Sequence, residues 1–227
     1  MTLQHVDILF QLIVFLFAIS VHESAHAWTA NRCGDPTARM LGRISLNPIK
    51  HIDPIGTVLL PLVAALTHLP VLGWAKPTPV DPRNFKNAVL DDILTSVAGP
   101  VSNFLVASFA LVALALIKFS SATGREIIFG IPYGWTSPDV NSLLVPSCML
   151  LYELMVINIV LGVFNLIPVP PLDGSHVLRH FLSPSALRIY DTVGIFALMA
   201  LVFLGGGLLA RLIFPVVGIF NYILLRV

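Results

Sequence analysis

Charge is scarce in this sequence: only 11% of its 227 residues are Asp, Glu, Lys or Arg, where soluble domains carry about 25%. A soluble globular surface cannot be built from so little charge. Cysteine is nearly absent as well. Cys33 and Cys148 are the only two, too few and too far apart for a disulfide framework or a zinc knuckle. The formal net charge of +1 says nothing about nucleic acid, but there is no basic stripe to bind it, so no nucleic-acid partner is expected. The opening MTLQHVDILF has no basic segment and no small-residue cleavage site after its apolar run, so it is expected to be a retained helix, not a signal peptide. The sequence has no internal repeat, and no PDZ-like or nucleotide-binding domain is expected.

What the chain has instead is hydrocarbon. Apolar residues make up 56% of it, and several runs approach the roughly 20 residues that cross a bilayer as a helix. The expectation is an all-α polytopic membrane protein, a helical bundle in contact with the lipid bilayer. One domain, 1–227, contains spans at about 8–30, 89–119, 140–167 and 189–210, with a C-terminal helix at about 208–226. Residues 205–207, Gly-Gly-Gly, break the last stretch.

Basic loops stay in the cytoplasm. Arg32, Arg39, Arg43 and Lys50, then Lys76, Arg83 and Lys86, then Arg179 and Arg188 lie in three loops at 31–54, 75–88 and 174–188. All three are therefore expected inside. The apolar run 55–74 then starts and ends on the same side, which predicts a short re-entrant, β-like segment bending near Pro61. Such a dip needs protein or a wet cavity to satisfy its backbone.

The chemistry stands out against this background. AISVHESAHAW, residues 18–28, places His22 and His26 one helical turn apart on one face. Two imidazoles so spaced can hold one Zn²⁺, with Glu23 beside them to take a proton from water. Zinc lowers the pKa of bound water from about 15.7 to about 7. The short motif alone is weak, but a charged group mid-membrane costs about 2.5–3.5 kcal/mol and usually has a function. Measured from Arg32, His26 lies roughly 9 Å and His22 roughly 15 Å deep at about 1.5 Å per residue. The metal would sit below the headgroups, toward the cytoplasmic side.

A zinc hydrolase normally has three protein ligands and an open position. In NLIPVPPLDGSH, residues 165–176, the prolines forbid a continued helix. Asp173 is expected on irregular backbone, free to turn toward another helix as the third ligand; alternatively it caps a short helix beginning near Ser175. His51 and Asp53 are read as loop structure, not a second metal site. His176 and His180 are expected beside the site or at the interface, not on the metal, and Glu153 toward the outer end of its helix. Asn158, two turns before Asn165, either continues a polar strip or hydrogen-bonds a neighbouring helix.

Three separated motifs, HESAH at 22–26, AGPVSN at 98–103 and NLIPVPPLDG at 165–174, make the chain resemble the site-2 protease family of intramembrane zinc metalloproteases. GWAKPTPVDP at 73–82 is similar to the loop of a compact prokaryotic branch without a PDZ domain. The resemblance implies that His22, His26 and Asp173 bind one zinc ion and that Glu23 is the general base and acid. It implies that Asn165 positions the substrate carbonyl or stabilises its oxyanion. Asn103, with a Gly99–Pro100 turn at the opening of a core helix, would contact the substrate. The implied partner is a transmembrane protein substrate, and the implied location is the plasma membrane with the site toward the cytoplasm. Unwound substrate would pair with an exposed strand edge at 55–74 and AKPTPV. The competing class is a metal or solute transporter with an intramembrane His/Asp site.

Overall fold

The apolar runs fold into helices because inside a bilayer only intrachain hydrogen bonding satisfies the backbone. The computed structural model describes residues 3–59, 74–133 and 143–226. Among them are eight α-helices and no strand. They are α1 (Leu3–Cys33), α2 (Thr37–Met40), α3 (Ala88–Ser120), α4 (Ala122–Gly130), α5 (Leu144–Asn165), α6 (Asp173–Arg179), α7 (Pro184–Phe203) and α8 (Gly206–Arg226). Helices α1, α3, α5, α7 and α8 are each long and apolar enough to cross a membrane, so the protein is an all-α, multi-pass membrane protein.

Helix ends follow local chemistry. Gly34, at φ +116°, closes α1 in a conformation that side chains avoid. Asn87 caps α3 by accepting the Leu90 N–H, and Asp91 reaches back to accept the Asn87 N–H at 2.7 Å. Ser183 caps α7 with Pro184 in its first turn, which starts that helix before the expected residue 189. The chain breaks at Leu204–Gly205, and α8 resumes at Gly206.

Helices α1, α3 and α5 pack against one another. One end of the bundle is apolar: Ala107, Ala110 and Leu114 of α3 meet Cys148, Met155 and Ile159 of α5, closed by Ile127, Ile128 and Leu224. Alanines at such contacts let backbones approach closely. Lys118 is buried there and donates to the carbonyls of Leu224 and Leu225 at 2.9 and 2.8 Å, pairing otherwise orphaned groups at the end of α8. Phe109, Leu105 and Leu116 point outward, as lipid contact allows. Both cysteines are free and buried.

Two expectations about backbone change. Gly99 and Pro100 form no turn and open no helix; they lie inside α3. A proline removes one ladder bond, and in a spanning helix packed against neighbours that loss is tolerated. Asp173 is not on irregular backbone, nor does it cap a helix starting at Ser175. It is the first residue of α6, after an extended Leu172, where a carboxylate suits the positive end of the helix dipole.

The turn of the run 55–74 lies outside the described residues. Its two ends adjoin: Pro54–Leu59 forms a π-helical turn, and Trp74 N–H donates to the Gly56 carbonyl at 3.2 Å. Residues 74–80 continue as irregular chain. This segment is not a free edge. Arg43 donates to the carbonyls of Lys76 and Pro77, and the Thr78 N–H, a single donor, is committed to Glu23.

Candidate metal centre

The site assembles at the polar end of the bundle from α1, α3 and α6. His22 and His26 are buried, one turn apart on α1, with ring planes at 81°. Their nearer nitrogens are committed. His22 Nδ1 stands 2.6 Å from Asn103 Oδ1, and Asn103 Nδ2 donates to Asn158 Oδ1 at 2.8 Å. The Asn158 amide in turn donates to the Leu154 carbonyl at 2.8 Å. In this chain of bonds Asn103 Oδ1 can only accept, so His22 Nδ1 carries the hydrogen. His26 Nδ1 lies 2.7 Å from the Thr95 carbonyl, which also only accepts.

A neutral imidazole has one N–H. With both hydrogens on Nδ1, both Nε2 atoms are bare, yet they lie 3.0 Å apart. Asp173 Oδ2 faces the pair at 3.1 Å from His22 Nε2 and 3.4 Å from His26 Nε2, and no hydrogen-bond donor holds it. Three lone-pair atoms converge on one point, and between neutral rings and a carboxylate no hydrogen remains to join them. A cation resolves the repulsion. Tetrahedral zinc with ligand bonds of about 2.0–2.1 Å separates neighbouring ligand atoms by about 3.3–3.4 Å, close to what is seen. Among the described residues these three are the only such cluster.

Room for the cation depends on Gly99. A Cβ on it would stand 2.3 Å from His26 Nε2 and 2.6 Å from His22 Nε2. Gly174 is equally constrained: a Cβ there would meet the Leu166 carbonyl oxygen at 2.3 Å, so the Asp-Gly pair lets α6 tuck under the 166–172 loop.

Glu23 is half-buried on α1. Its Oε2 accepts the Thr78 N–H at 2.8 Å, and its backbone carbonyl accepts the Thr78 hydroxyl at 3.0 Å. Arg43, itself buried, secures the Lys76–Pro77 chain and also donates to the Lys50 carbonyl. Asn165, the last residue of α5, donates to the Leu161 carbonyl at 3.0 Å. Asn103 is fully buried, with its Oδ1 against His22 and its Nδ2 donating to Asn158. His51 Nε2 lies 2.7 Å from the Ser45 carbonyl, and Asp53 accepts the N–H groups of Ile55 and Gly56, an Asx turn without convergence on a second metal.

Loop anchoring near the site centres on Asp35. It accepts from the Thr37 N–H and hydroxyl, the Asp81 N–H and the Asn84 amide. Burial works against its charge, but these hydrogen bonds outweigh it and hold the carboxyl below its ordinary range.

Thr95, whose contribution is a backbone carbonyl, and Thr78 and Arg43 in loops were not legible as site residues. A carbonyl carries no side-chain signature, and Thr78 and Arg43 act only through contacts made by the folded chain.

Known proteins share much of this sequence. The model of Peptidase family M50 matches residues 10–205. YwhC of Bacillus subtilis (strain 168), classed by name among the zinc metalloproteases, is 38% identical over 76% of this chain and 68% of its own length. Rip2 of Mycolicibacterium smegmatis and Rip2 of Mycobacterium tuberculosis (strain H37Rv), classed by name likewise, are each 27% identical. They align over 77% and 84% of this chain but only 58% and 64% of their own lengths, so the chain spans less than two thirds of those relatives. No solved structure matches significantly.

Proposed function

The chain belongs to peptidase family M50, and from that premise we propose that it is an intramembrane zinc endopeptidase. It cuts membrane-anchored proteins within or beside their transmembrane segments. The observation that carries the reading is the convergence of His22 Nε2, His26 Nε2 and Asp173 Oδ2, three potential ligand atoms gathered around one point at spacings that suit a single metal ion. One ion is proposed, held by these residues. When bound, zinc supplies a Lewis acid that makes water nucleophilic near neutral pH.

The chain's own residues do the rest. Glu23 takes a proton from the attacking water and returns it to the leaving amine. Its Oε2 is steadied by Thr78, so the proton is exchanged at Oε1. Asn165 turns its amide from the Leu161 carbonyl toward the substrate's developing oxyanion, a contact whose loss typically costs about 10²–10³ in rate. It sits where α5 gives way to irregular chain, a position from which such a turn needs no helix to break. His22 and His26 are oriented by Asn103 and Thr95.

The site faces the cytoplasm in this reading, and the plasma membrane is the proposed location. The support is the basic loops: Arg32 lies in the last turn of α1, at the end nearest His26, and Arg39, Arg43 and Lys50 follow that end. The described ends of the run 55–74 lie together on that side in this reading, joined by the bond from the Trp74 N–H to the Gly56 carbonyl. A substrate helix must unwind to present a carbonyl to Glu23 and Asn165, so Gly/Pro-loosened segments are cut faster than stabilised helices.

The test is direct. The detergent-purified protein is assayed for zinc, and wild type is compared with Glu23→Gln on a single-span substrate. Retained zinc with cleavage abolished is expected. Equal cleavage by both proteins rejects the role of Glu23, and a wild type that holds no zinc rejects the reading altogether.

A further inference from the structure

Asp173 poses a question that the two histidines do not. Each histidine ring is oriented by a hydrogen bond from its Nδ1, but Asp173 Oδ2 has no donor to hold it. Its direction is set by the backbone that carries it. That backbone is α6, only seven residues long, and a helix this short has no stability of its own. Whatever secures α6 therefore aims the carboxylate.

At its start α6 is wedged under Leu166 and Ile167 through Gly174. At its other end stands Asp92 of α3, which is buried. His180, the residue closing α6, brings Nε2 to 2.8 Å from Asp92 Oδ2. His176, one turn earlier, directs a buried Nδ1 that has no hydrogen-bond partner toward Asp92 Oδ1, at 3.7 Å. Hydrogen bonds to an ionised acceptor in a site shielded from water are among the stronger ones.

The position of Asp92 on α3 gives this contact its meaning. Asp92, Thr95, Gly99 and Asn103 follow spacings that keep them on one face of a helix, and all four are buried. Asn103 orients His22, the Thr95 carbonyl orients His26, and Gly99 leaves space between the rings. We infer that Asp92 is the remaining member of this stripe, a positioning residue that fixes α6 through His180 and His176 and so aims Asp173 at the metal. A single face of α3 thereby organises all three ligands, one of them at second hand. The inference rests on the zinc-peptidase reading above.

The experiment uses the full chain in detergent with zinc as the probe. Asp92→Asn, His180→Ala and His180→Gln are compared with wild type by competition against a fluorescent chelator, and by thermal unfolding of the zinc-free proteins. Groups that orient metal ligands typically affect metal affinity about 10–100-fold, so Asp92→Asn and His180→Ala should weaken zinc binding by that much. His180→Gln, whose amide can still donate to Asp92, should recover most of the loss. The unfolding of the zinc-free proteins should stay close to wild type. Zinc affinity for His180→Ala within twofold of wild type overturns the inference. So does a loss of affinity that tracks a lower unfolding temperature and is not rescued by glutamine, because Asp92 would then serve stability alone. Should Asp92→Asn not fold, the two His180 variants decide between these outcomes. Failure of wild type to bind zinc would bring down the peptidase reading first and this inference with it.

Discussion

Gly99 lies so close to His26 that a single methyl group on its α-carbon would stand 2.3 Å from the ring's Nε2. The same carbon would be 2.6 Å from His22 Nε2. The smallest side chain therefore competes with the metal for its space.

Gly99→Ala should fold, since alanine suits a helix interior, but it should bind zinc poorly. Overpacking typically costs about 1–3 kcal/mol, equivalent to about 5–150-fold in an equilibrium constant. Chelator competition reads this directly, and unchanged affinity would show that the rings can retreat at no cost.

The bonds from His22 to Asn103 and on to Asn158 predict an order of effects. Asn103→Ala removes the direct partner of His22 and should lower zinc affinity about 10–100-fold. Asn158→Ala leaves that partner in place with one fewer tether and should cost less. Equal losses, or a larger one at Asn158, would mean that packing and not ring orientation is responsible.

Arg43 joins two loops by donating to the carbonyls of Lys50, Lys76 and Pro77. Lysine at this position offers a point charge in place of a planar fork and cannot span both loops. Arg43→Lys should free residues 75–78 for limited proteolysis and lower kcat through the lost contact between Thr78 and Glu23. Zinc content should be unchanged. Protection of the loop at wild-type levels would remove Arg43 from this role.

Asp35 predicts a pH dependence. Its four hydrogen bonds hold the folded-state pKa below the ordinary value of 3.8, so the folded chain prefers the ionised form. The stability this contributes is fully present above pH 3.8 and is lost as the pH falls through the depressed folded value. Thermal unfolding of wild type should therefore fall more steeply in that acid range than that of Asp35→Asn, which begins less stable at neutral pH. Parallel curves for the two proteins would contradict the assignment.

Much of the protein is legible in its sequence because the relevant physics is local or generic. Helical periodicity alone puts His22 and His26 on one face, with Glu23 beside them. Scarce charge and long apolar runs mark the spans. The prolines at 168, 170 and 171 announce the end of α5. Where expectation and structure part, longer-range contacts decide. Pro100 reads locally as a break, yet α3 continues through it. Asp173 reads as irregular because prolines precede it, but the chain recovers a helix at that residue. AKPTPV reads as an open edge, whereas Arg43 and Glu23 already occupy part of it.

Residue types and spacing by themselves put two imidazoles one turn apart, with a glutamate beside them, on a helix apolar enough to cross a membrane. They were silent on what aims those atoms. Orientation comes from α3, where a carbonyl, a missing side chain, an amide and a carboxylate sit in one stripe beneath α1 and α6. The hydrogen-bond partners of His22 and His26 lie 81 and 69 residues away along the chain, and contacts across such separations exist only after the helices pack.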